Sequence, residues 1–394
     1  MAGLRWLEQE PKHEAPPSVM AALLRQALSQ RPDSADLHSQ LGCAYARLSD
    51  YHAAVEEFEA AVVRDSASFR QWPALAGCYI KLDRPADALA ACETGSRMHE
   101  DSALLCLRKG AALQMLGHEL DARAEFERCV ALGDHELLGL QALLLPLAQK
   151  PDGGELLEYC DALPPALQHT AVVRANRAIA LSRLGRAAEA RSLVDLDRHV
   201  ARVPLVPPAA FGNSAEFNAR LATDVLALSA RTGRESRETH IIYHPDTRRS
   251  AALSALLVMI KGAIETYLDE APDRGVDSAL PPPPEAATMF TGTTILRGEG
   301  TNGEHIHPEA YVSTVYHVAV PAEIAGAEGN RGALTLGDCT SYTGGYQGVW
   351  GTRHIRPVAG WLTLFPSHVF HNVVPTRTKE PRISVAADLR PIQA

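Results

Sequence analysis

The chain has 394 residues, of which 46% are hydrophobic and 22% charged, and a net charge of -9. That length exceeds a single compact core and predicts two or three domains, while the composition is that of an ordinary globular protein. The acidic balance excludes a nucleic-acid partner, because phosphate binding needs a basic stripe and Arg248-Arg249 is too short to supply one. The longest apolar run, Ala251 to Ile260, is about half of what a bilayer crossing requires. Met1 to Glu8 lacks the basic end and apolar core of a signal peptide. No membrane partner and a cytoplasmic location are therefore expected.

Seven cysteines are scattered without a C-x-x-C pair. Six of them (Cys43, Cys78, Cys92, Cys106, Cys129 and Cys160) fall in the first half and read as small buried thiols, neither zinc ligands nor disulfides.

The first half is periodic. Tyr45, Tyr79 and Leu113 are spaced by 34 residues, as are Leu48, Leu82 and Leu116, or Ala54, Ala88 and Ala122. Phe58, Cys92 and Phe126 keep the same register, and Leu184-Gly185 returns two periods beyond Leu116-Gly117. Small residues at Gly42, Ala76, Ala54 and Ala88 suit positions where paired helices approach closely, with large ones filling the holes between. Leu41-Gly42-Cys43-Ala44-Tyr45 followed by Ala54-Val55-Glu56-Glu57-Phe58 resembles the tetratricopeptide repeat. The resemblance implies an α-solenoid over residues 1–200 whose groove takes a protein or peptide, or else a packing platform for the second half. One unit, around 135–168, carries Pro146 and Pro151-Asp152-Gly153-Gly154, which predicts short or bent helices.

Beyond Val203-Pro204-Leu205-Val206-Pro207-Pro208, read as a linker, a second domain is expected over 201–394. It opens with helices around Ala215–Ala230 and Ser250–Glu270, the latter with Leu253, Leu256, Leu257, Ile260, Ile264 and Tyr267 on one face. After the extended Pro281–Pro284 come short β-branched runs at Thr293–Leu296, Val312–Val320, Gly332–Leu336, Gly360–Phe365 and Ile383–Leu389. Helices flanking such strands predict an α+β multidomain chain ending in a double-stranded β-helix, or jelly roll.

The chemistry concentrates in three places. His305 and His307, two apart in an extended segment, point to one side and can reach one metal. The strand Trp361–Phe365 delivers His368 and His371 to a polar turn, and Arg382-Ile383-Ser384 is a same-face pair eleven residues after His371. His317, His354, His244 and His99 read as ordinary core or surface histidines, His368 as a surface neighbour of His371, and Glu304 and Glu309 as solvated.

His305-Ile306-His307-Pro308, Phe365-Pro366-Ser367-His368-Val369-Phe370-His371 and Arg382-Ile383-Ser384 together resemble an iron(II)/2-oxoglutarate-dependent oxygenase. The likeness extends over roughly 205–394, through Ser313–Val318 and Gly332–Asp338. It implies ferrous iron on His305 and His371 and 2-oxoglutarate held by Arg382 and Ser384. It also implies a hydrogen bond from Tyr316, and oxidation of a substrate coupled to decarboxylation of the cosubstrate. No catalytic residue is expected beyond these ligands.

Position 307 departs from the usual two-histidine, one-carboxylate pattern. Either His307 is the third ligand, the preferred assignment, or the acid comes from Asp338, Glu304 or Glu309. Two other outcomes stay open at this point: a scaffold whose barrel has lost its iron function, and a cupin-like metal barrel indifferent to 2-oxoglutarate. The repeats suggest a protein or peptide-carried substrate; nothing in the sequence fixes the oligomeric state.

Overall fold

The computed structural model describes residues 4–7, 16–66, 70–98, 102–133, 135–230, 237–276, 279–325 and 329–392; His99 lies outside them. The chain divides into two compact units, Lys12–Leu144 and Met1–Pro11 with Leu145–Ala394.

The first unit is a run of helical hairpins: Ala35–Arg47 with Tyr51–Arg64, Gln71–Lys81 with Pro85–Met98, and Ala103–Met115 with Glu119–Ala131. Side-chain caps start several of these helices. Ser34, Asp50 and Ser102 accept from the backbone N–H three residues on, which satisfies donors that the first turn leaves free. The 34-residue register has a steric cause. A Cβ on Gly42 would lie 3.0 Å from the Phe58 ring, and one on Gly110, two periods later, 2.5 Å from Phe126. Cys78, Cys92, Cys106, Cys129 and Cys160 are buried free thiols as expected, but Cys43 is exposed. The irregular unit is also as expected: Glu136–Gln149 carries Pro146 inside it, and Gly154–Ala162 has only nine residues.

The second unit contains eleven strands among the described residues: β1 (Arg5–Trp6), β2 (Ala201–Pro204), β3 (Thr239–Tyr243), β4 (Ala286–Leu296), β5 (Asn302–His305), β6 (Val312–Ala319), β7 (Leu334–Leu336), β8 (Arg353–Ile355), β9 (Trp361–Pro366), β10 (His371–Val373) and β11 (Arg382–Pro391). They form a larger sheet, β1-β4-β11-β6-β9-β2 with β3 also on β4, and a smaller sheet, β5-β10-β7-β8. This is the two-sheet architecture of a double-stranded β-helix.

Alternation assigns the two faces of the larger sheet. Ile295, Val312, Tyr316, Leu362, Leu364, Ile383, Val385, Ala387 and Leu389 share a core with Leu221, Leu253, Leu256, Ile260 and Ile264, so that face carries the helices Ser214–Ala230 and Ala251–Asp269. The second of these is long and apolar enough to cross a membrane, yet its apolar stripe is packed in that core. Ser313, Val315, His317, Arg382, Ser384, Ala386 and Asp388 occupy the opposite, inward face.

The division of the chain differs from the expected boundary near residue 200. The proline-rich stretch read as a linker begins as an edge strand: β2 pairs with β9, and Pro204 is tolerated because β2 ends the sheet. Upstream, the helix Ala171–Arg183 belongs to the barrel's unit. Asn176 accepts from the Tyr342 hydroxyl, Ser182 bonds the Tyr346 hydroxyl and accepts from the Val349 N–H, and the Arg183 guanidinium lies 4.2 Å from the Tyr346 ring centre. Leu184-Gly185 kept the repeat register, so periodicity alone gave no sign that this helix had changed partners.

Candidate metal centre

The smaller sheet brings the first and last histidines together. Register places His371 of β10 directly opposite His305 of β5, and also against Leu336 of β7. His307 follows β5 by two residues, and the ligand atoms of His305, His307 and His371 all lie within 4.8 Å of one another. The Nε2 atoms of His305 and His307 are 3.1 Å apart. Two nitrogens bound at right angles to one metal at ~2.1 Å would be about 3.0 Å apart, so this pair is already spaced as adjacent ligands.

The other ring nitrogens decide which atoms face the centre. Nδ1 of His305 is 2.6 Å from the Gly303 carbonyl, Nδ1 of His371 is 3.1 Å from the Val369 carbonyl, and Nδ1 of His307 is 2.6 Å from Oδ2 of Asp388. Each Nδ1 faces an acceptor and therefore carries the proton, which leaves three Nε2 lone pairs directed to one place. Burial, then the neighbouring His307, lowers the pKa of His305; burial, then His305 and His307, holds that of His371 well below the ordinary value. Neutral rings are what metal ligation requires. Phe365 of β9 covers His371, ring centres 5.0 Å apart.

The three carboxylates weighed as alternative third ligands are engaged elsewhere. Glu304 accepts from the Ser341 and Tyr342 N–H groups, and is half-buried rather than solvated, its pKa raised chiefly by that burial. Asp338 accepts from Thr340 and Asn372, and Glu309 pairs with Arg390. The acid that does reach the centre is Asp388, 2% exposed, and it acts through His307. It is not among the residues that the sequence pointed to. Its signal was parity: 382, 384 and 388 share a strand face, and Asp388 pairs with Ser313, whose hydroxyl lies 3.1 Å from Nδ1 of His307.

Arg382 is fully buried, with no carboxylate partner among the described residues. Its Nη1 is 3.3 Å from the Ser384 hydroxyl, Nη2 is 3.4 Å from Nδ1 of His317, and Nε has no partner. Burial lowers its pKa to about 10, which leaves it cationic at neutral pH. A buried cation without a counter-ion is costly, so the donor set fits an anionic carboxylate ligand.

Two expectations need correction. Tyr316 does not accompany Arg382: it neighbours His317 on β6, so alternation turns it to the helix face, where its hydroxyl donates to Asn218 at 2.8 Å. His368 is not a surface residue; it is buried, and its Nε2 donates to the Leu193 carbonyl at 2.8 Å.

Residues 293–388 match the family model described as "Putative 2OG-Fe(II) oxygenase". No curated protein matches the chain. Among solved structures, a Pseudomonas putida prolyl-4-hydroxylase aligns with 18% identity over 52% of this chain and 100% of its own, at a TM-score of 0.34. MamA aligns at 16% identity over 43% of this chain and 89% of its own, TM-score 0.32. The Arabidopsis OM64 TPR domain aligns at 18% identity over 28% and 90%, TM-score 0.27. At such levels of likeness the fold is read from the chain's own topology.

Proposed function

We propose, from the premise that residues 293–388 form a 2OG-Fe(II) oxygenase segment behind tetratricopeptide-like repeats, that the protein is an iron(II)- and 2-oxoglutarate-dependent hydroxylase. Its repeats recruit a protein or peptide-carried substrate. The observation that carries this reading is the pairing, inside one barrel, of three imidazoles whose ligand nitrogens lie within 4.8 Å of one another with a buried guanidinium that has no counter-ion among the described residues.

His305, His307 and His371 would hold the metal through Nε2. Ferrous iron with 2-oxoglutarate would supply, when bound, oxidation of a substrate C–H bond by dioxygen, one oxygen atom going to the substrate and the other to the succinate left after the cosubstrate loses carbon dioxide. The chain's own residues set the conditions for it. Gly303, Val369 and Asp388 keep the Nδ1 protons in place, and Asp388 places the negative charge missing from the ligand set behind His307. Arg382 offers a planar fork to the distal carboxylate of the cosubstrate, with Ser384 beside it. Phe365, Val315 and Ala386 line the same interior with apolar surface that excludes water, which strengthens each of these interactions.

With ferrous iron, dioxygen and 2-oxoglutarate labelled at C5, the intact protein should bind the cosubstrate and release labelled succinate. Arg382→Ala should weaken cosubstrate binding at least tenfold while metal binding persists. Iron-loaded protein that fails to bind 2-oxoglutarate would overturn the proposal.

A further inference from the structure

Both sheets of the barrel end on one side. The larger ends there in β3, which pairs with β4 alone, and the smaller in β5, which pairs with β10 alone. Where β3 and β5 begin they are tied together. The Thr239 hydroxyl donates to the Thr301 carbonyl at 3.0 Å, and the Arg297 N–H to the Glu238 carbonyl at 2.8 Å. Where they finish, Tyr243 is 62% exposed and β5 closes on His305. The Phe290 ring lies 5.9 Å from that of Tyr243 and 4.5 Å from that of His244, and Phe290 pairs across the ladder with Asp388, the partner of His307. The far end of β3 therefore stands beside the histidine cluster.

Strand parity settles which backbone groups of β3 are paired. The His244 N–H donates to the Thr291 carbonyl and Glu238 accepts from Arg297, so the even residues turn N–H and C=O to β4. Ile241 and Tyr243 turn theirs to the other edge, where no strand lies against them among the described residues. The devices that protect an exposed edge are missing. Thr239-His240-Ile241-Ile242-Tyr243 holds no Lys, Pro or carboxylate, and its register with β4 is regular. The side chains on this edge are apolar and face inward. A Cβ on Gly292, which pairs with Ala386, would lie 3.8 Å from the Tyr243 ring and 3.9 Å from Ile241.

We propose that the free edge of β3 docks the substrate as an extended peptide, which adds one strand to the larger sheet. Its backbone exchanges hydrogen bonds with Ile241 and Tyr243, and an apolar side chain turns inward beside Tyr243 and Phe290. Unpaired N–H and C=O groups that recur every second residue, about 6.6–6.9 Å apart, match another extended backbone. The occupant is a peptide because this edge borders the inward row of Gly292, Ala386 and Val315, between the Asp388 and Ser384 layers, which a single strand can reach and a second copy of the chain would cover. The proposal rests on the peptide-carried substrate above and gives it a conformation and a place.

The test uses the full chain, loaded with manganese(II) and 2-oxoglutarate without oxygen, and a randomised library of capped hexapeptides as the probe. Selected peptides should slow amide hydrogen exchange at Ile241 and Tyr243. N-methylation of such a peptide at alternate residues should weaken binding on the order of 10-fold in one parity and by less than about twofold in the other. Ile241→Pro removes an N–H that faces the edge and leaves the β4 ladder intact. It should cost a similar factor in peptide affinity, with manganese and 2-oxoglutarate affinities within about twofold of wild type. The N-methyl series needs no variant, so it decides the matter should the proline chain not fold. A library without binders, binders that leave exchange at Ile241 and Tyr243 unchanged, or equal losses in both N-methyl parities would overturn the proposal. So would a dimer in which those two amides are protected without peptide, since the occupant is then a second copy. Protein that binds no 2-oxoglutarate would sink the hydroxylase reading alone, because exchange at Ile241 reports peptide pairing without the cosubstrate.

Discussion

Replacing Asp388 by Asn keeps the shape of the side chain and removes its charge, which isolates what the carboxylate does for His307. In the wild type Oδ2 is 2.6 Å from Nδ1 of His307 and the residue is 2% exposed. Hydrogen bonds of this charged kind contribute ~1.5–3 kcal/mol. An Asn side chain can also present its N–H to Nδ1, and the imidazole would then carry its proton on Nε2, the atom that should face the metal. Both effects act on the loaded state, and loss of such supporting partners typically costs about 10- to 100-fold in metal affinity. The metal-free protein responds differently. Oδ1 of Asp388 is buried without a partner, so removing the charge offsets part of the cost of the lost hydrogen bond, and metal-free stability should fall by less than that bond contributes. Competition against a chelator, with cobalt(II) or anaerobic iron(II), measures the affinity, and denaturant melts with and without metal measure the stability. An Asp388→Asn protein that binds metal within about twofold of wild type would refute the argument.

Two further outcomes follow from the fold. A chain beginning at residue 201 removes the helix Ala171–Arg183, in which Val172, Val173 and Ile179 are fully buried, each worth ~1.5–3 kcal/mol. That chain should aggregate or melt without cooperativity, whereas one beginning at Leu145 should melt cooperatively and bind metal. Wild-type metal affinity in the shorter chain would contradict this. Acid should destabilise the protein through His199 and His368, whose burial lowers their folded-state values to about 4 and about 3. A depressed folded value means that the unfolded chain takes up the proton first. Their contribution is therefore complete above about pH 6.5 and falls by roughly 1.4 kcal/mol per pH unit for each group as the pH drops towards 4. Urea melts at pH 7, 6 and 5 should show a shallower slope for His368→Gln than for wild type, and identical slopes would exclude His368 as a source.

What the sequence made legible, and what it hid, divides along physical lines. The 34-residue register was readable because Gly42 and Gly110 must be small beneath Phe58 and Phe126, a local steric demand repeated along the chain. His305, His307, His371, Arg382 and Ser384 were readable because strand alternation sets same-face pairs two residues apart. Alternation along one strand does not say which face is inward, and that is why Tyr316 was read as a cosubstrate ligand although it faces the helices. Only the ladder β4-β11-β6-β9, with Ile383, Val385 and Leu389 packed on the helices, decides it. The same limit explains the open question at position 307. A missing ligand carboxylate was sought nearby in sequence, at Glu304, Glu309 and Asp338, whereas the charge comes from Asp388 on a strand that only sheet pairing brings beside β6. A histidine backed by a buried carboxylate differs from a direct carboxylate ligand in how the charge would arrive: a metal held by His305, His307 and His371 would have three nitrogen ligands, with the negative charge of Asp388 one imidazole away. On the proposed ligand set, the departure from the two-histidine, one-carboxylate pattern would be a displacement of charge by one side chain, and metal affinity in Asp388→Asn measures how much of that charge reaches the centre.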